Sequence, residues 1–223
     1  MDYRHEYKHT ITAYDREVLR TRLRAICQTD SHAIGGKYEI RSLYFDNLDD
    51  MALREKLDGI RVREKFRIRC YNGDTSFIHL EKKTKIDSLG TKAQTMLTAE
   101  EVRAICAGDT AWMAASEREL VRELYVKMRN LGLRPCVLVD YTREPFVYPA
   151  GNVRVTLDYN IRTGLKGVDF LNPDCVTVPV MGDPIILEVK WDGFLPSVIR
   201  DAVQLDGRST GAYSKYAACR MYD

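Results

Sequence analysis

Polar and apolar residues alternate with a period of two over six segments of the chain, a pattern typical of half-buried β-strands. Each segment carries charged residues on one face and apolar residues on the other. The segments lie near residues 4–12, 60–70, 77–85, 137–147, 153–162 and 185–191, and the first is predicted to begin at Tyr3. A further β-rich segment covers Tyr38 to Asp46, and Asn72-Gly73-Asp74 predicts a hairpin turn after the second segment.

Helical spacing of apolar residues separates these segments. It is found at Asp15 to Ile26, Asp49 to Lys56, Pro196 to Leu205 and Lys215 to Tyr222, where Ser214 is the expected cap. Two capping boxes, Thr98 with Glu101 and Ser116 with Glu119, predict further helices, and Gly132 ends the second of them. The predicted helices are sufficient to cover the apolar faces of the strands.

The segment Ile60 to Cys70 is the most informative of the chain. Its odd positions are all cations: Arg61, Arg63, Lys65, Arg67 and Arg69. Because an ordinary apolar core cannot bury such a face, the face is either open to solvent or lines a cavity that holds an anionic ligand.

A half-exposed antiparallel sheet produces the same local alternation. An exposed face, however, normally mixes both signs of charge with Thr, Ser and Gln, whereas these strands carry long cations and isolated glutamates. We therefore predict an α+β fold: a closed antiparallel β-barrel with a charged interior and helices packed outside.

Composition narrows the class of protein. The 223 residues are 45% hydrophobic and 30% charged, without an apolar run long enough to span a membrane or an N-terminal secretory signal. Six cysteines are scattered without a Cys-x-x-Cys pair, which favours a reducing cytoplasm over a metal cluster or a disulfide framework. We expect a single domain over residues 1–223. A net charge of only +2, without aromatic residues among the clustered cations, argues against nucleic-acid binding.

The clustered cations indicate a polyanionic ligand. Arginine binds phosphate oxygens with its planar fork, and lysine supplies a mobile point charge. The glutamates among them, Glu6, Glu81 and Glu188, are either ion-pair partners or ligands of Mg²⁺ or Mn²⁺. Neither a Ser/His/Asp set nor a Walker-type loop is found, so any chemistry would depend on positioning and charge neutralisation.

Eight short motifs in this order resemble the VTC domain, the polyphosphate polymerase module of the vacuolar transporter chaperone family and its bacterial relatives. They are Arg4-His5-Glu6-Tyr7-Lys8, Tyr44-Phe45-Asp46, Arg67-Ile68-Arg69-Cys70-Tyr71, Leu80-Glu81-Lys82-Lys83-Thr84-Lys85, Tyr141-Thr142-Arg143, Arg154-Val155-Thr156-Leu157-Asp158, Leu187-Glu188-Val189-Lys190 and Ser214-Lys215-Tyr216. The resemblance implies a stand-alone member of the triphosphate tunnel metalloenzymes, with a CYTH-like, eight-stranded antiparallel tunnel. Arg4-x-Glu6-x-Lys8, where other branches have Glu-x-Glu-x-Lys, favours the VTC branch.

The resemblance also implies roles for individual residues. The catalytic residues would be Arg67, Arg69, Lys83, Arg143, Arg154 and Glu188. Further substrate-binding cations would be Lys8, Lys85, Lys92, Arg162, Lys190 and Lys215. Glu188 would be the main ligand of Mn²⁺ or Mg²⁺, with Glu6 and Glu81 as ligands or neighbours. Arg61, Arg63 and Lys65 lie outside the motif and are expected near the tunnel mouth.

The implied activity is transfer of the γ-phosphate of ATP to a growing polyphosphate chain. Two alternatives stay open: a triphosphate or polyphosphate hydrolase, and a polyphosphate-binding module without turnover. ATP and polyphosphate are the implied partners, the oligomeric state is left open, and a cytoplasmic location is expected. A peripheral position at the inner face of a membrane, beside a separate membrane protein, is consistent with the family.

Overall fold

The computed structural model describes residues 4–87, 89–205, 207 and 211–222. The strands are β1 (His5–Ile11), β2 (Gln28–Thr29), β3 (Tyr38–Asp46), β4 (Val62–Tyr71), β5 (Asp74–Ile86), β6 (Leu89–Leu97), β7 (Arg134–Tyr148), β8 (Val153–Thr163), β9 (Val178–Pro179) and β10 (Ile185–Trp191). The helices are α1 (Ala13–Ile26), α2 (Met51–Leu57), α3 (Ala99–Ala107), α4 (Glu119–Leu131), α5 (Ser197–Ala202) and α6 (Lys215–Arg220).

Chain contacts divide the protein into two compact units, each drawn from three stretches of sequence. The first unit takes the described residues of 1–39, 141–161 and 179–214, and the second those of 40–140, 162–178 and 215–223. The prediction of a single domain over residues 1–223 is not tested by this division and stays a prediction.

The first unit is built on the strand order β1-β10-β8-β7, with antiparallel pairing between β1 and β10 and between β10 and β8. One face of these strands is apolar and packs into a core with α1 and α5, as Val155 and Leu187 do against Leu19 and Ile199. Since side chains alternate across a strand, the polar residues of β8 and β10 lie on the opposite face.

The second unit contains the antiparallel order β3-β4-β5-β6. The apolar faces of β4 and β5 form a core with α3 and α4, in which Ile68 and Leu80 pack with Val102 and Leu124. The arginines and lysines at odd positions of β4 therefore lie on the face away from this core.

The turn between β4 and β5 has the backbone that its sequence predicts. Asn72 and Gly73 have φ values of 53° and 71°, and two consecutive positive φ angles favour the tight hairpin turn that Asn-Gly forms. The turn pairs Tyr71 with Asp74, and an irregularity between Arg69 and Tyr71 then shifts the register, so that Arg67 lies opposite Glu81 and Arg69 opposite His79. The turn and this irregularity together decide which charges of the two strands meet.

The strands and helices agree with the prediction in most places. The capping box of Thr98 and Glu101 is confirmed at the start of α3, and Gly132 ends α4 with a φ of 68°. The capping box at Ser116 is wrong: α4 begins at Glu119 with Arg118 as its N-cap, and Ser116 Oγ accepts a hydrogen bond from the Arg118 amide at 3.3 Å. The predicted start of the first strand at Tyr3 lies outside the described residues.

Antiparallel strands with helices over their apolar faces confirm the broader fold prediction, whereas closure into an eight-stranded barrel stays a prediction. Strand β6 was not predicted at all. Every helix in the described ranges is too short or too polar to cross a bilayer.

Candidate functional site

One face of β4, β5 and β6 in the second unit is densely cationic, and we call it the cationic face. In the antiparallel register its members lie side by side, with Lys65 opposite Lys83 and Lys83 opposite Lys92. The cations on this face are Arg63, Lys65, Arg67, Arg69, Lys83, Lys85 and Lys92. Within these three described strands, Glu81 is the carboxylate on the same face. The predicted site residues of β4–β6 are therefore brought together.

Arg67 and Arg69 are held in fixed positions on the cationic face. Arg67 donates from Nε to Glu81 Oε2 at 2.7 Å and from Nη1 to the Tyr44 hydroxyl at 2.9 Å. Arg69, only 4% exposed, donates from Nε to Ser42 Oγ at 3.0 Å. Tyr44 and Ser42 come from the neighbouring strand β3. Because two strands and two hydroxyl groups orient the guanidinium groups, their N–H donors are prepared for an incoming anion.

Glu81 is the counter-ion of this group of cations. Its carboxylate is 2% exposed and lies 2.5 Å from Arg67 Nη2, 3.2 Å from Lys92 Nζ and 3.9 Å from Arg69 Nη1. Burial alone would raise the pKa of Glu81, but the charges of Arg67, Arg69 and Lys92 outweigh it and lower that pKa far below its usual range. The contacts of Glu81 are those of an ion-pair partner, and its predicted role as a metal ligand stays untested.

The C-terminal helix α6 adds aromatic and cationic groups beside Lys65. Lys65 Nζ lies 4.6 Å from the centre of the Tyr216 ring, and that ring lies 5.1 Å from the ring of Tyr44. The Tyr216 hydroxyl donates to the fully buried Asp46, which also accepts from the Ala52 amide at 2.8 Å. Lys215 helps to lower the pKa of Tyr44, after the larger effects of burial, which raises it, and of Arg67 and Arg69, which lower it.

The first cations of the predicted strand behave differently. Arg61 precedes β4 and forms an exposed ion pair with Asp87 at 2.6 Å. Arg63 lies on the cationic face opposite Lys85 and donates to the Ile60 carbonyl at 2.6 Å, and Lys65 lies on the same face beside Tyr216. Exposure therefore falls along the five alternating cations, from exposed Arg61 to buried Arg69.

In the first unit, β1 and β10 carry a group of two carboxylates and two ammonium groups. Lys8 Nζ lies 2.6 Å from Glu6 Oε1 and 3.1 Å from Glu188 Oε1. Lys190 Nζ lies 3.4 Å from Glu6 Oε2 and 3.0 Å from Glu188 Oε2. Burial disfavours the charge of Lys8, but Glu188 and Glu6 outweigh burial and raise its pKa well above the ordinary value. Lys8 is therefore firmly charged, and the two carboxylates share both lysines.

Arg143 extends this group onto β7. It binds Asp158 with two hydrogen bonds, of 2.6 Å from Nε and 2.7 Å from Nη2, and its Nη2 also reaches Glu188 Oε2 at 3.4 Å. Burial opposes the charge of Arg143, yet Asp158 and Glu188 raise its pKa well above the ordinary value. Glu188, 4% exposed, is thus contacted by cations from three strands.

Arg154 and Arg162 on β8 have separate surroundings. Arg154 lies opposite Lys190 and binds the Asp30 carboxylate and the Tyr38 hydroxyl, the latter at 3.2 Å. Arg162, in the second unit, donates to Thr177 Oγ1 at 2.9 Å and to the Thr177 carbonyl at 2.6 Å. Through these contacts Arg162 holds the loop before β9 in position. Its predicted role in substrate binding stays untested.

The two groups of charged residues described above differ in composition. The charged groups of the first unit described above, which we call the mixed cluster, are Lys8, Arg143, Arg154, Lys190, Glu6, Asp30, Asp158 and Glu188. Cations and carboxylates are equal in number there, whereas the described residues of β4–β6 place seven cations and one carboxylate, Glu81, on the cationic face. The cationic face is therefore the more positively charged of the two groups.

A divalent metal fits the mixed cluster only in part. Groups of three or more His, Cys, Asp or Glu residues that could hold an ion are not found among the described residues. Glu6 and Glu188 nevertheless contact the same two ammonium groups, so their oxygens are close neighbours. Since Mg²⁺ is commonly held by one or two carboxylates together with substrate phosphates, this pair suits a metal whose remaining ligands come from a phosphate chain.

Several residues of the site were missed by sequence reasoning. Tyr44, Ser42, Asp158 and Asp30 each bind a predicted arginine, and Thr156 lies opposite Glu188. Tyr44, Thr156 and Asp158 stand inside the quoted motifs, and their place on the polar face of a strand was the available signal. Asp30 and Ser42 carry no comparable signal, because strand pairing and loop position decide their contacts.

Comparison with known proteins agrees with the sequence motifs. The VTC domain family model matches residues 3–222, and a comparison with curated proteins gives no match.

Similar solved structures include a Pyrococcus horikoshii protein (16% identity, TM-score 0.45, covering 90% of this chain and 84% of that one). Two proteins provisionally named adenylate cyclases are also similar. One, from Bacillus halodurans, has 14% identity, a TM-score of 0.49 and coverage of 85% and 80%. The other, from Vibrio parahaemolyticus, has 9% identity, a TM-score of 0.46 and coverage of 90% and 82%. No function is transferred from these structures. The match over almost the whole length places the chain in the VTC domain family.

Proposed function

We propose that this protein is a metal-dependent polyphosphate polymerase, which transfers the γ-phosphoryl group of ATP to the end of a polyphosphate chain. The observation that carries the proposal is the cationic face, where Arg67 and Arg69 on β4 and Lys92 on β6 surround the carboxylate of Glu81, and further lysines lie opposite one another in the register. Such a face suits a long, densely charged anion better than a small neutral substrate. Membership of the VTC domain family supports the same class of ligand.

In the proposed reaction, a terminal oxygen of the polyphosphate chain forms a bond to the γ-phosphorus of ATP. The bond from that phosphorus to the β–γ bridging oxygen breaks, ADP leaves, and the chain gains one phosphate. The guanidinium groups of Arg67 and Arg69, already oriented by Tyr44 and Ser42, would stabilise charge on the phosphate oxygens. Positioning and charge neutralisation are the contributions that this transfer requires.

The mixed cluster would act at the metal and its phosphates. Glu188 and Glu6 would hold Mn²⁺ or Mg²⁺, which would neutralise charge on phosphate oxygens when bound. Lys8, Lys190 and Arg143 would exchange part of their carboxylate contacts for phosphate contacts. Closure of the strands into an eight-stranded tunnel that encloses the polyphosphate chain belongs to the same proposal.

The direct experiment supplies the purified protein with ATP, Mn²⁺ and short polyphosphate chains, and follows chain length on gels together with ADP and inorganic phosphate. Growth of the chains with stoichiometric ADP is expected. Release of inorganic phosphate without chain growth would refute the polymerase and favour a hydrolase. Binding of polyphosphate without turnover would refute both enzymes and favour a binding module.

Glu188→Gln tests the metal assignment within the same assay. The variant should lose at least about 100-fold in turnover, since an amide is a poor replacement for an anionic ligand. Glu144→Gln is a matched control, because Glu144 is similarly buried and paired with an arginine, Arg20, on the face of β7 opposite Arg143. Full activity of Glu188→Gln would show that Glu188 is not a ligand of the metal.

A further inference from the structure

The hydroxyl group of Thr156 is buried on β8, at the strand position between Arg154 and Asp158 of the mixed cluster. Thr156 is 2% exposed, and its Oγ1 has no hydrogen-bond partner among the described residues. In the register of β8 and β10 it lies opposite Glu188, which in turn lies opposite Lys8 on β1. Its neighbours Val155 and Leu157 belong to the apolar core, so Thr156 lies on the polar face of β8 with Asp158.

The acceptors around this hydroxyl are bound to charged donors. Glu188 accepts from Arg143 and Lys190 and contacts Lys8, and Asp158 accepts two hydrogen bonds from Arg143. Charged donors bind a carboxylate more strongly than a neutral hydroxyl does. A buried hydroxyl is normally hydrogen-bonded. The Thr156 hydroxyl would therefore need an acceptor oxygen from a bound ligand.

We propose that Thr156 Oγ1 donates a hydrogen bond to a non-bridging oxygen of a bound triphosphate or polyphosphate. The inference rests on the proposed function, and it adds a neutral, short donor to the charged groups of the site. Phosphate oxygens at neutral pH accept hydrogen bonds, and none of the described residues supplies such an acceptor to the Thr156 hydroxyl. The same phosphate oxygens can also accept hydrogen bonds from the lysines of the mixed cluster. Because a β-branched side chain on a paired strand has few orientations, this donor would fix the position of one oxygen.

The test measures tripolyphosphate binding by calorimetry with EDTA present, so that the result does not depend on a metal. Thr156→Val keeps the shape of the side chain and removes the hydroxyl, and it should weaken binding by at least about 10-fold. Thr156→Ser restores the hydroxyl and should bind within about 3-fold of the wild type. Thr142→Val is the matched control, since Thr142 is equally buried but donates to Glu39 Oε2 at 2.9 Å.

Thermal unfolding without ligand supplies a second readout. Thr156→Val should unfold at the wild-type temperature or above it, because it removes a buried hydroxyl that none of the described residues hydrogen-bonds. Thr142→Val should unfold at a lower temperature. Wild-type affinity in Thr156→Val, or a lowered unfolding temperature of that variant, would overturn the inference.

The failure of the proposed function would look different. A wild-type protein that binds tripolyphosphate but never lengthens polyphosphate would refute the polymerase and leave the role of Thr156 intact if Thr156→Val binds weakly. A wild-type protein without affinity for tripolyphosphate would overturn both.

Discussion

Replacing Glu81 with glutamine distinguishes two possible roles of this residue, counter-ion of the cationic face and metal ligand. The substitution removes one negative charge and leaves Arg67, Arg69 and Lys92 without that neighbour in a mostly buried setting. Breaking a buried ion pair by changing one partner typically costs 3 to 5 kcal/mol. Because Arg67 also binds Tyr44 and Lys92 is partly exposed, we expect the lower end, about 3 kcal/mol. For a protein of this size that corresponds to a fall of roughly 6–12 °C in Tm.

The same change should strengthen polyanion binding. In the wild type, a phosphate chain bound to the cationic face as proposed would compete with the Glu81 carboxylate for Arg67 and Lys92. Without that competitor, tripolyphosphate should bind about 10-fold more tightly in the presence of EDTA, and it should restore much of the lost stability. Calorimetry and thermal unfolding, each with and without tripolyphosphate, measure the two effects on one sample.

Glu144→Gln is the control for both measurements. Glu144 is 5% exposed and accepts two hydrogen bonds from Arg20, so its loss should also lower the stability. Since it lies outside the cationic face, tripolyphosphate affinity should stay at the wild-type value. Unchanged or weaker metal-free binding in Glu81→Gln, combined with loss of metal-dependent turnover, would refute the counter-ion role and favour a metal ligand.

Three further predictions concern stability. Tyr216→Phe removes the hydroxyl bound to buried Asp46, and unfolding by urea should show a loss of about 1–3 kcal/mol; an unchanged midpoint would contradict the importance of that contact. Gly73→Ala places a Cβ at a φ of 71°, so its urea midpoint should reveal a cost of about 1 kcal/mol, whereas a gain would mean that the turn rearranges. Burial alone would raise the pKa of Glu144, but hydrogen bonds from Arg20 outweigh it and lower that pKa, so this ion pair stabilises the fold above the unfolded pKa of about 4.5 and the stabilisation is lost as pH falls through the folded pKa. Between pH 7 and pH 3, the stability measured by unfolding curves should therefore fall less in Glu144→Gln than in the wild type. An equal fall in both proteins would show that the Glu144–Arg20 pair does not cause it.

The strands that the sequence predicts well are those with one face in a core. In β4, the alternation of Phe66 and Ile68 with Arg67 and Arg69 marks the two faces, and the structure keeps them apart. The contacts of those arginines were beyond prediction, because the register between β3 and β4 decides that Tyr44 lies opposite Arg67.

Strand β6 shows where periodicity fails. It lies at the end of its strand order, pairs with β5, and has one fully buried residue, Leu97. With so little burial, its sequence carries no regular apolar repeat, and backbone pairing determines its conformation. The place of Lys92 beside Glu81 follows from that pairing.

The different charge composition of the cationic face and the mixed cluster has a consequence for the effect of salt on binding. Dissolved ions screen exposed charges over about 8–10 Å at 0.10–0.15 M salt, while contacts as short as the 3.1 Å between Lys8 and Glu188 are screened less. Attraction of a polyanion to the cationic face should therefore weaken steeply with salt, and the internal pairing of the mixed cluster should change little. In the polymerase that we propose, added salt would weaken the binding of long chains to the cationic face while the ion pairs within the mixed cluster persist.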